Sequence, residues 1–110
     1  MEVTRERAWD TLTRHTSSES LLRHALAVEA AVRYYARLLG EDEEQWGCAA
    51  LLHDFDYERY PTLAEHPFRG VEILAARGVD EGIRTAILGH GDHTGVPRET
   101  TLAKALFAVD

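Results

Sequence analysis

The chain has 110 residues, 45% of them hydrophobic and 28% charged, which bounds it to a single domain over residues 1–110 and argues against disorder. Its net charge of −7 repels phosphodiester backbones, so general nucleic-acid binding is not expected and an anionic ligand needs a local positive centre. No apolar run is long enough to span a membrane and no basic-then-apolar leader opens the chain, so a cytoplasmic protein without a membrane partner is expected. A single cysteine, Cys48, excludes an internal disulfide and reads as a small buried thiol without a redox role.

Read in chain order, the elements are helices. Thr4 suits the cap of a first helix carrying Ala8, Trp9 and Leu12, and His15 to Ser18 reads as a surface turn. A long second helix starts near Ser18 or Ser20, places Leu21, Val28, Ala31, Val32 and Tyr35 on one face at helical spacings of three, four and seven, and stops at Gly40. Asp42 with Gln45 resembles a capping box opening a third helix through Trp46, Ala49, Ala50 and His53. Pro67 fits the first turn of a fourth helix running through Leu74 to Gly78, and Asp80 caps a fifth through Ile83 and Ile87. A glycine-rich loop, Gly91 to Pro97, precedes a sixth helix opened by Thr100 or Thr101 and carrying Leu102, Leu106 and Val109. No segment alternates apolar and polar residues in the manner of a strand, so the class is all-α, a compact bundle of about six helices. Trp9 and Trp46 read as core or helix-packing residues.

Three histidines share the inward phase of three different helices. His24 lies three residues after Leu21 and four before Val28, His53 is i+4 from Ala49, and His90 is i+4 from Ala86. A lone inward histidine is ordinarily satisfied by a backbone carbonyl. Three of them beside Asp54 would leave several buried polar groups unpartnered, at about 1 to 3 kcal/mol each. A divalent cation removes that penalty, and imidazole with carboxylate suits manganese, iron, cobalt, nickel or zinc. Such a cation also lowers the pKa of a water, giving a nucleophile.

With the ligands in the order His24, His53, Asp54, Asp110, the chain resembles the HD-domain metal-dependent phosphohydrolases, whose signature is H…HD…D. The stretches that carry the likeness are "LLRHALAVEAAV", "LLHDFDYERYP" and "ALFAVD". The resemblance implies an HD-domain-like bundle with His24, His53, Asp54 and Asp110 as metal ligands, and Asp54 as the bridge to a second ion. His66 in "EHPFRG" and His90 in "ILGHGDHTGVP" resemble the added ligands of dinuclear members, with order H…HD…H…H…D. Gly91 stands where the cyclic-dinucleotide branch carries a second histidine, which argues against a full second site and against that substrate.

The implied activity is hydrolysis of a nucleotide or other small phosphoester by one or two bound cations, with Asp54, His66 and Asp56 as catalytic candidates. Glu58, Asp92 and His93 are further acids or bases near the site, and Arg69, Arg98 and Lys104 are candidate phosphate holders. Two alternatives stand: a dinuclear-iron oxygenase, which shares the same ligand order, and a non-catalytic metal- or ligand-binding module. Family members continue past the last aspartate, so either a C-terminally shortened form or a covering subunit, hence a homodimer, is expected.

Overall fold

The computed structural model describes residues 3–110. Six α-helices and one short 3₁₀ turn follow in order: α1 (Arg5–His15), α2 (Glu19–Leu39), α3 (Glu43–Leu52), α4 (Phe68–Ala76), α5 (Glu81–Gly89), the turn Asp92–Thr94, and α6 (Thr101–Val109). Among the described residues there is no strand, and no helix is long and apolar enough to cross a membrane.

Local chemistry sets most of the boundaries. Thr4 Oγ1 accepts the Arg7 amide, Ser18 Oγ the Leu21 amide, Asp42 Oδ1 the Gln45 amide and Thr100 Oγ1 the Ala103 amide, so four helices begin on a side-chain cap. The second helix ends on Gly40 at φ 71°, a left-handed position that a Cβ disfavours. At the end of α4, Gly78 also has positive φ, and Val79 donates back to the Leu74 carbonyl at 3.0 Å.

The central element is α3. Every residue from Trp46 to Leu52 is buried, and the helix packs against α1, α2, α5 and α6. A helix that is apolar around its whole circumference has to be enclosed. Leu51, Leu52, Ile83, Ile87 and Leu106 are at most 1% exposed, and each contributes about 1.5–3 kcal/mol by leaving water. Cys48 lies within this core, where burial pushes its thiol up to about 12, leaving it protonated and inert.

One ion-pair network sits inside this frame. Glu29, 6% exposed, accepts Arg5 Nε at 2.7 Å and Arg33 Nε at 2.9 Å, joining the start of α1 to α2. Burial works to raise the Glu29 pKa, but the two guanidiniums outweigh it and hold the carboxyl below its ordinary range. Arg33 lies across α3 at Gly47, where any Cβ would come within 2.4 Å of the guanidinium.

Several boundaries differ from the sequence expectation. The first helix runs on through His15, which is half-buried: its Nδ1 donates to the Thr11 carbonyl at 2.8 Å and its ring meets Phe55 edge-on. Helix α3 stops at Leu52 and leaves His53 as its cap, whereas Pro67 precedes the first residue of α4 and is not within its first turn. Asp80 occupies the cap position of α5 without a side-chain hydrogen bond there. Between α3 and α4 the chain turns irregularly and is tied down from afar. Glu58 accepts the Ser17 and Ser18 amides, and Thr16 Oγ1 donates to the Phe55 carbonyl.

Candidate metal centre

Four helix ends and one helix face bring the histidines and aspartates together. His24 projects from the second turn of α2, His53, His90 and Asp110 cap the C-termini of α3, α5 and α6, and His66 immediately precedes Pro67 at the start of α4. Asp54 follows His53 in the turn leaving α3.

The first group comprises His24, His53, Asp54 and Asp110. His24 Nε2 lies 3.3 Å from His53 Nε2 and 2.9 Å from Asp110 Oδ1. His53 Nε2 lies 3.1 Å from Asp110 Oδ1 and 3.2 Å from Asp54 Oδ2. The second group comprises Asp54, His66 and His90: both imidazole Nε2 atoms stand 3.2 Å from Asp54 Oδ1. Asp54 therefore turns one oxygen to each group.

These contacts test whether a cation fits. His53 Nδ1 donates to the Ala50 carbonyl at 2.6 Å, and His90 Nδ1 donates to the Ile87 carbonyl. A carbonyl only accepts, so Nδ1 carries the proton in each ring and the neutral ring offers a bare Nε2 to the centre. Ligand atoms about 2.1 Å from one ion, at angles between octahedral and tetrahedral, lie about 3.0–3.4 Å from each other. Four edges of the first group run from 2.9 to 3.3 Å, close to that range, and the His24 Nε2 to Asp54 Oδ2 edge is wider at 3.7 Å. The donor set of imidazoles and carboxylates suits a borderline transition metal, so the residues present fit a divalent cation.

Protons compete for the same groups. Burial opposes charge on His53, yet hydrogen bonds to Asp110 and Asp54 outweigh it and raise its pKa to about 10. His66 behaves alike: burial opposes, Asp54 and Asp56 prevail, and the pKa rises to about 9. For Asp54, burial works upward, but hydrogen bonds from His53, His66 and His90 carry its carboxyl far below the ordinary range. The hydrogen bond from His53 lowers Asp110.

Asp56 departs from its expected place. It is 1% exposed and lies behind His66, accepting His66 Nδ1 at 2.6 Å on Oδ1 and the Gly70 amide at 2.9 Å on Oδ2. It does not face the centre as an acid or base. Glu58 is engaged with Ser17 and Ser18, and Asp92 with Arg98. His93 Nε2 donates to the His66 carbonyl at 2.7 Å, bracing that segment from the other side. All three have structural partners in the positions they occupy.

The three basic candidates stand apart from the cluster; among the described residues none pairs with Asp54 or Asp110. Arg98 donates to the Gly89 carbonyl, pairs with Asp92 and lies 3.8 Å over the Phe107 ring. Arg69 pairs with Glu65 and Glu72, and Lys104 borders a groove between α2 and α6 beside Tyr35 and Leu39.

No sequence signal marked Asp56 as a support for His66, because the contact depends on Gly70. A Cβ there would lie 2.9 Å from Asp56 Cγ, so only glycine allows α4 to approach so closely.

In comparison with known protein families, the model described as HD domain matches residues 21–110. Neither a search of curated proteins nor a search of solved structures finds a match. The matched region contains all six converging residues, from His24 to Asp110, and the chain belongs to the HD-domain family.

Proposed function

We propose that this HD domain is a metal-dependent phosphohydrolase acting on a nucleotide or other small phosphoester. The observation that carries the reading is the division of Asp54 between two ligand groups, Oδ2 toward His53 and Oδ1 toward His66 and His90. His24, His53, Asp54 and Asp110 would hold one divalent ion, and Asp54, His66 and His90 a second. A bound ion there supplies a lowered water pKa and polarises a phosphoryl oxygen.

The protein's own contribution is orientation and access. The Ala50 and Ile87 carbonyls fix the rings of His53 and His90, so neither has to reorganise when a ligand arrives. His24 has 41% of its side chain exposed, against none for His53 and 6% for His90, so the α2 side of the cluster is the open one. A small phosphoester reaches the cluster from that side. On a chain of net charge −7, the occupied cluster is also the local positive centre that an anion requires.

The test is elemental analysis of protein purified without added metal, joined to hydrolysis assays on 5′-nucleotides, p-nitrophenyl phosphate and bis-p-nitrophenyl phosphate. Stoichiometric transition metal with turnover that a chelator abolishes is expected. Stoichiometric metal without hydrolysis would favour a non-catalytic module. The bridging position of Asp54 also supports one oxidative reading, a dinuclear-iron oxygenase, and iron content with oxygen-dependent turnover selects it.

A further inference from the structure

We propose that Asp56 is a positioning residue that sets the affinity of the second group, Asp54, His66 and His90, for its ion, independently of the first group. The inference rests on the two-ion reading above. Asp56 is 1% exposed, and its two carboxylate oxygens are each committed to one donor, His66 Nδ1 and the Gly70 amide. Holding a carboxylate that deep is unfavourable unless its hydrogen bonds are made. Here one of them is made to His66, which, unlike His53 and His90, does not cap the C-terminus of a helix.

The consequence for His66 follows from donor chemistry. A carboxylate accepts only, so Nδ1 keeps its proton and Nε2 is the atom left to face Asp54 Oδ1, 3.2 Å away. His53 and His90 obtain the same orientation from carbonyls of their own helices, Ala50 and Ile87. His66 lies in the irregular stretch before α4, and there the Asp56 carboxylate takes the place of such a carbonyl at its Nδ1. Outer partners of this kind typically change metal affinity by roughly 10- to 100-fold. The polar contacts of His24, His53 and Asp110 within the first group run to one another and to Asp54, not to Asp56.

The test titrates the chelator-stripped full chain with manganese(II) by calorimetry, alongside Asp56→Asn and Gly70→Ala. Asparagine replaces one of the two acceptor oxygens by an NH2 donor, which would face the His66 Nδ1 proton or the Gly70 amide, and a Cβ at position 70 would lie 2.9 Å from both Asp56 Cγ and Phe55 Cε1, crowding the carboxylate without changing its charge. Wild-type protein is expected to bind two ions. Both variants should weaken the second step by roughly 10- to 100-fold and leave the first within about twofold. In zinc-loaded wild type, nitrogen NMR of the histidine rings should show His66 bound through Nε2 with a slowly exchanging Nδ1 proton, a readout that stands even where a variant fails to fold. A folded Asp56→Asn protein with both steps unchanged, an equal loss of both steps, or His66 bound through Nδ1 would overturn the inference. Wild type that takes up no ion overturns the proposed function as well, whereas two ions unaffected by either variant overturns only the role of Asp56.

Discussion

Two charged clusters lie inside this bundle, and they are built on opposite principles. In the Arg5, Glu29 and Arg33 network, two guanidinium donors meet one carboxylate acceptor at 2.7 and 2.9 Å, so each close contact joins opposite charges. In the His24, His53, Asp54 and Asp110 group, atoms of the same kind converge, and two ring nitrogens stand 3.3 Å apart with carboxylate oxygens beside them. Acceptors facing acceptors need something between them, a proton or a metal ion. Complementary pairing marks a brace; convergence of lone pairs marks a binding site.

The sharpest way to break that contrast is at the shared carboxylate. Asp54→Ala should remove metal from both groups and lower phosphoester hydrolysis by at least about 10²–10³-fold, the scale seen when one charge-stabilising group is lost. Elemental analysis and initial rates check it, and full metal retention would contradict the site. Glu29→Ala should do the reverse, lowering stability by about 2–4 kcal/mol while leaving metal content unchanged. That figure sits below the full penalty for a broken buried pair because Arg5 is half-exposed, and urea melts with metal analysis measure it.

The pH response separates the two clusters next. His53 and His66 have folded pKa values raised to about 10 and about 9, so in chelated protein their stabilising pairs are complete below about pH 6.5. That contribution is lost as pH climbs through 9 to 10. Asp54 and Asp110 are lowered, so their contribution is present above about pH 4 and disappears as pH falls below it. Chelated protein should therefore lose melting temperature from pH 6.5 to 10. The extra stability from added metal should grow over the same interval, because the ion replaces those protons. A metal increment that shrinks with rising pH would contradict this. The smallest effect concerns α6, where Thr100→Ala removes the acceptor of the Ala103 amide. It should lower stability by about 1 kcal/mol and weaken metal binding only slightly, since Asp110 lies at the far end of the helix.

Helix-level features were readable from the sequence because their causes are local. Thr4, Ser18, Asp42 and Thr100 cap as their side chains suggest, and Gly40 ends α2 with a left-handed turn. The inward phase of His24, His53 and His90 was readable through helical spacing, and the structure brings these rings together with Asp54 and Asp110. What stayed hidden depends on contacts distant along the chain. Glu58 reaching Ser17, Arg5 reaching Glu29 and Asp56 reaching Gly70 join residues 41, 24 and 14 positions apart. No periodicity encodes them, and Asp56 consequently reads in sequence as a reactive carboxylate when its two oxygens are both spent on support.

Because α3 and α5 terminate at His53 and His90, two sets of last-turn carbonyls point their negative ends toward one spot. The backbone thus draws positive charge there even before any side chain is counted. Grafting the six histidines and aspartates onto helices that pass through, instead of stopping, would copy the ligands and lose this pull. A transplanted centre needs its helices to finish where the ion is meant to sit.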